Sequence, residues 1–153
     1  GTRVSDLNAH PSPAISTLED AIKAHVEAYL NQRFPEIGSE KRTGLPQELS
    51  LNMWAVLLDT GGYQEWHMHP DALVSGVYYV DVPEAPGDNE NRAGWLEFGT
   101  GYNVYSDGDE WTFPVRPEPG LLVLFPSSFM HRTRPHRADE RRISIAFDVA
   151  LRS

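Results

Sequence analysis

The stretch EWHMHPDALVSGVYYV, residues 65–80, changes character at its middle. Its second half is a run of β-branched and aromatic residues, a strand pattern, and its first half places two histidines two residues apart. Successive side chains of a strand point to opposite faces, so His67 and His69 present two imidazoles to one point. A second ligand spacing overlaps the first, because His69 and Asp71 are also two apart. Pro70 cannot donate a ladder hydrogen bond, so the strand is expected to fray there, and Asp71 just beyond could swing towards a metal. His67 and His69 are the preferred pair, since both lie within the strand pattern, and Asp71 is the alternative.

Around this stretch the chain reads as β. Short apolar or alternating runs recur as LNMWAVLL, ALVSGVYYVDV, GWLEF, EWTFPV, GLLVLF and RISIAFDVAL, divided by Gly, Pro, Asp and Asn. Strands so closely spaced indicate a β sandwich or barrel rather than a parallel βαβ sheet. The segments PEAPGDNENRAG and GTGYNVYSDGDE read as polar loops. Upstream, ISTLEDAIKAHVEAYLNQRFP carries Leu18, Ile22, Val26, Tyr29 and Leu30 at helical spacing, with Ser16 and Glu19 as a capping box, Ile15 as its staple and Pro35 as its stop. The expected organisation is one domain over residues 1–153: a mobile arm at 1–13, an amphipathic helix at 14–35 packed outside, and a β core at 50–151.

Composition narrows the chemistry. Cysteine is absent, so a metal must be held by nitrogen and oxygen, and no thiolate nucleophile or disulfide exists. With 22 acidic against 13 basic residues the net charge is -9, which argues against a nucleic-acid partner. No apolar run has the length of a membrane span and no signal peptide is legible, so a cytoplasmic protein is expected. Gly1 in place of an initiating Met suggests that the natural chain extends further. The exposed sheet edges of such a fold would permit a homodimer, though nothing in the sequence demands one.

His131 follows the buried strand pattern that breaks at Pro126, where a third imidazole could reach His67 and His69 from across the sheet. Such a facial set with open positions is the arrangement of non-haem iron oxygenases, which normally use two His and one carboxylate. Near it Arg132, Arg134, Arg137, Arg141 and Arg142 concentrate positive charge. The first three of these read as a solvated basic loop. Arg142 instead opens RISIAF, where Arg142, Ser144 and Ala146 share a face opposite Ile143, Ile145 and Phe147. A guanidinium and a hydroxyl on that small-residue face suit a carboxylate ligand. Asn52 and Trp54 share a face of LNMWAV and are candidates to line the same pocket.

HMHPDALVSGVYYVDVP, GWLEF and RPEPGLLVLFPSSFMHRTRPHRADERRISIAFDV, taken in order, resemble the iron(II)/2-oxoglutarate oxygenase family, distant relatives of prolyl hydroxylases. The resemblance covers about residues 51–150. It implies a double-stranded β-helix, or jelly roll, with Fe(II) held by His67, His69 and His131. It further implies 2-oxoglutarate as cosubstrate with its distal carboxylate on Arg142, assisted by Ser144 and Tyr79, and O2 as oxidant of a small-molecule or peptide substrate. Two other readings stand beside it: a cupin-like three-His metalloenzyme that does not use 2-oxoglutarate, and a non-catalytic jelly-roll module that binds a carboxylate or a metal.

Overall fold

The structure is a computed structural model in which residues 1–10, 12–33, 48–99 and 112–152 are described. Nine strands form two antiparallel sheets among these residues: β1 (Thr2–Val4), β2 (Leu49–Leu58), β3 (Gln64–His67), β4 (Val74–Asp81), β5 (Leu96–Gly99), β6 (Phe113–Val115), β7 (Leu122–Pro126), β8 (Met130–Thr133) and β9 (Arg142–Leu151). One sheet has the order β1-β2-β9-β4-β7 and the other β3-β8-β5-β6. This alternation of chain between two facing sheets is the double-stranded β-helix that the family resemblance implies, within the sandwich-or-barrel class expected from the strand spacing.

The helix α1 (Pro13–Arg33) lies against the larger sheet. Ile22, Val26 and Leu30 are buried on its inner stripe and meet Met53 of β2, Val74 of β4 and Ile145, Phe147 and Val149 of β9. Each fully buried aliphatic side chain there contributes about 1.5–3 kcal/mol. Gly76 of β4 is dictated by the same packing, because a Cβ at that position would collide with the Phe147 ring and the Val123 carbonyl. Since side chains alternate, fixing Ile145, Phe147 and Val149 towards the helix turns Arg142, Ser144, Ala146 and Asp148 towards the second sheet. The outer face of the larger sheet therefore carries the apolar core, and its inner face is left for chemistry.

Three expectations are corrected. The helix starts at Pro13, so Ser16 lies inside it and donates its backbone N–H to the Ser12 carbonyl instead of forming a capping box with Glu19. Proline at the first position explains the earlier start, because its fixed φ suits the helix and its missing N–H had no partner to lose. Pro35, the expected stop, lies outside the described residues, as does most of the loop at 99–110. Nor is the N-terminal arm loose: β1 pairs with β2, Thr2 opposite Leu57 and Val4 opposite Ala55, and the Asn8 amide bonds the Met53 N–H and the Leu51 carbonyl. Last, Arg132 and Arg134 are not a solvated loop. Glu97 of β5 is fully buried, and Arg132 grips it at 2.8 Å while Arg92 and Arg134 lie 3.6 and 3.7 Å away. A carboxylate withdrawn from water needs such partners, and these arginines supply them.

Candidate metal centre and carboxylate pocket

His67 closes β3 and lies directly opposite His131 of β8 in the sheet register. His69 stands two residues beyond the strand end, so its place is not set by the ladder alone. Its backbone N–H donates to the Ser127 carbonyl at 2.9 Å, which keeps the chain extended enough for the side chain to stay on the His67 face. One ligand atom from each of His67, His69 and His131 lies within 4.8 Å of the others. Asp71 is exposed in the turn that follows and does not belong to this group.

The hydrogen bonds decide which nitrogen each ring offers. His67 Nδ1 lies 2.6 Å from the Glu65 carbonyl, and His131 Nδ1 lies 2.9 Å from the Phe129 carbonyl. A carbonyl only accepts, so both Nδ1 atoms carry the proton and donate. His69 Nδ1 meets the Asp148 carboxylate at 3.0 Å and donates likewise. All three Nε2 lone pairs are thereby free, which is the outer-sphere pattern that orients metal-bound imidazoles. For His131 and His67, burial reinforces that availability. Loss of hydration pulls the His131 pKa down to about 4 and also lowers that of His67, with smaller contributions from the neighbouring imidazoles. Rings that stay neutral near neutral pH keep their lone pairs for a cation.

The wall behind His131 is apolar. Phe125 and Phe98 stand 4.7 and 6.1 Å from its ring, centre to centre, and 4.9 Å from each other. Trp54 of β2 closes the other side, 6.0 Å from the His69 ring, with Arg3 of the arm stacked over it at 4.5 Å. Trp54 lines the cavity that contains the three imidazoles, whereas Asn52 is exposed and is not among the residues lining it.

Arg142, Ser144 and Tyr79 line that same cavity and are 2 %, 6 % and 1 % exposed. The Arg142 guanidinium lies over the Tyr79 ring, 5.0 Å from its centre, and its Nη1 donates to the Gly94 carbonyl. Gly94 has φ +71, and a Cβ there would sit 2.9 Å from Arg142 Nη1, so the close approach needs glycine. Burial lowers the Arg142 pKa, opposed by Tyr79, and raises that of Tyr79, opposed by Arg142. Among the described residues no carboxylate pairs with Arg142, and its Nε is buried without a hydrogen-bond partner. A buried cation with a spare donor is matched by an anionic ligand.

Sequence reasoning missed Asp148 and Ser75. Asp148 accepts from His69 and from Ser75 Oγ at 2.7 Å, and Ser75 and Ser127 are hydroxyl partners at 2.8 Å. The signal was present, because Asp148 continues the every-second-residue series of Arg142, Ser144 and Ala146.

A two-sheet β-helix with three converging imidazoles and a buried guanidinium on its inner face is a jelly-roll metalloprotein by architecture. Residues 52–148 match the family described as "Putative 2OG-Fe(II) oxygenase", and the chain belongs to that family. The cofactors of the family are Fe(II) and 2-oxoglutarate, and the donor set fits the former, since imidazole nitrogen suits iron as well as zinc, copper and nickel. No curated protein matches the sequence. Among solved structures, a Pseudomonas putida prolyl-4-hydroxylase aligns with a TM-score of 0.64 at 20 % identity, over 99 % of this chain and 71 % of that one. AviO1 from Streptomyces viridochromogenes gives 0.65 at 17 %, over 97 % and 66 %. HygX from Streptomyces hygroscopicus, solved with nickel and 2-oxoglutarate bound, gives 0.63 at 15 %, over 97 % and 71 %. At such identities the likeness is one of fold, and the chain spans about two thirds of each of these proteins. Among the described residues no helix is long and apolar enough to cross a membrane.

Proposed function

We propose that the protein hydroxylates a C–H bond of a small-molecule or peptide substrate, with 2-oxoglutarate as co-reductant and O2 as oxidant, and that His67, His69 and His131 hold the iron. In balance, substrate, 2-oxoglutarate and O2 give hydroxylated substrate, succinate and CO2, one oxygen atom going to each organic product. The observation that carries the reading is the convergence of three imidazoles with all Nδ1 atoms engaged, in one cavity with a buried Arg142 that pairs with no carboxylate among the described residues. When bound, the iron with its keto acid supplies the oxidising chemistry; the chain supplies position and shelter.

Each residue has a separable task. The three Nε2 atoms would hold the iron. Arg142 binds the distal carboxylate of the keto acid, with its orientation set by the Gly94 carbonyl and the Tyr79 ring. Tyr79 and Ser144 add hydroxyl donors beside it. Phe98, Phe125 and Trp54 exclude water from the reacting side, which protects a reactive centre from unproductive turnover. The membership of Asp71 in the ligand set is not supported, as its side chain points into solvent from the turn.

The test is Fe(II)-dependent conversion of 2-oxoglutarate to succinate, measured with and without candidate substrates. Wild-type protein should form succinate slowly even without substrate, and His131→Ala should not. Oxidation of an organic substrate with no succinate would instead identify a three-His enzyme that binds its substrate directly.

A further inference from the structure

Three neutral imidazoles leave a divalent cation with its whole charge, whereas the usual set of two His and one carboxylate removes one unit. The displaced anion can be traced. His67 and His131 each donate to a backbone carbonyl, but His69 donates to a carboxylate, Asp148 Oδ2, at 3.0 Å. Asp148 is held in turn: Ser75 Oγ donates to Oδ1 at 2.7 Å, and Ser127 Oγ donates to Ser75 Oγ at 2.8 Å. Both serines are 1 % exposed. The chain enforces this arrangement twice, because Asp148 lies opposite Ser75 in the β9–β4 register and the Ser127 carbonyl also receives the His69 backbone N–H.

We propose that Asp148 is a positioning residue for the metal: clamped by Ser75, it fixes the His69 ring with Nε2 towards the cation and places one bond further out the negative charge that the ligand set lacks. The inference rests on His67, His69 and His131 forming the metal site. A carboxylate hydrogen-bonded to a ligating imidazole makes that nitrogen a stronger donor, and loss of such a partner typically weakens metal binding about 10–100-fold. It also distinguishes His69 from its two neighbours, whose carbonyl partners orient the rings without adding charge. Ser75 is then more than a small residue at a strand start. Its hydroxyl ties the Asp148 carboxylate to a buried pair that cannot rearrange into water.

The variant that isolates charge from shape is Asp148→Asn. Its amide oxygen can still accept from His69 while its NH2 donates to Ser75, whose own proton then turns to Ser127. Co(II) would be titrated into the metal-free full-length chain, followed by calorimetry and by the visible d–d band. Expected is a Co(II) affinity lower by about 10–100-fold and a displaced band, with the thermal midpoint of the metal-free protein near wild type. Affinity within threefold of wild type together with an unchanged band would overturn the proposal. If Asp148→Asn does not fold, Ser75→Ala serves: it keeps the charge and removes the clamp, and is expected to weaken Co(II) roughly threefold or more with a shifted band. An unaltered affinity and spectrum there refutes the role. His131→Ala separates the two levels of inference. If wild type takes up no Co(II), or His131→Ala binds it as well as wild type, the three-His site itself is wrong and Asp148 falls with it. If His131→Ala abolishes binding while Asp148→Asn leaves it intact, only the role of Asp148 is lost.

Discussion

Replacing Arg142 by methionine should have opposite effects on binding and on stability. The side chain is 2 % exposed, and among the described residues its partners are the Gly94 carbonyl and Tyr79, with no carboxylate. A carboxylate on this guanidinium would form two charge-assisted hydrogen bonds worth about 1.5–2 kcal/mol each. Their loss amounts to about 3–4 kcal/mol, a rise in the 2-oxoglutarate dissociation constant of about 10²–10³-fold. In the protein without keto acid the sign reverses. Methionine forfeits the bond to Gly94, about 1 kcal/mol, but relieves a buried cation that no carboxylate among the described residues compensates and whose burial costs several kcal/mol. The unfolding midpoint should therefore stay level or rise. Calorimetric titration of 2-oxoglutarate into Co(II)-loaded protein, paired with thermal unfolding of the unloaded protein, measures both. Binding within threefold of wild type, with Co(II) still held, would refute the assignment of Arg142, and a large fall in midpoint would show that its charge is compensated in the free protein.

His67→Ala and His69→Ala should each lose stoichiometric Co(II) binding, while Asp71→Ala retains it; loss only in the Asp71 variant would reverse the ligand choice. Ala146→Leu should fill the inner face between Ser144 and Asp148, lowering 2-oxoglutarate affinity at least about tenfold while Co(II) affinity holds, and equal keto acid binding would show that the ligand lies elsewhere. The metal-free protein should lose stability as pH falls below 6.5. The folded-state pKa of His131 is about 4, so between 6.5 and 4 the unfolded chain binds more protons, and stability drops with pH by up to about 3 kcal/mol. Urea unfolding at pH 7.5 and 5 measures this, and His131→Gln should flatten the difference; an equal difference in the variant places the proton on another group.

The two-residue period of β strands made most of the site legible. It assigned Arg142, Ser144 and Ala146 to one face of β9, and the helix packing on Ile145, Phe147 and Val149 bears this out. The same rule extended by one step reaches Asp148, yet an aspartate near a strand end reads as solvent-facing without knowledge of what lies across the sheet. His69 is informative in the other direction. Alternation placed it beside His67, but β3 ends at His67, and the long-range bond to Ser127 does the work attributed to the strand. Contacts distant in sequence likewise explain the arm, whose pairing with β2 has no local signature in Thr2–Val4. The helix boundary failed for a local reason: Pro13 outcompetes a capping box that would have begun a turn later.

The inner face of β9 carries Arg142 at one end and Asp148 at the other, six residues apart, a rise of about 20 Å, with the small residues Ser144 and Ala146 between. That rise keeps the two charges separate. Asp148 is occupied by His69 and Ser75, so its charge is directed to the imidazole cluster. Among the described residues Arg142 has no carboxylate partner, and its guanidinium lines the cavity. A ligand with a carboxylate at one end and a metal donor at the other would meet Arg142 and the imidazole cluster together. The placement of both charges thus follows from a single strand whose alternation commits them to the same side of the sheet.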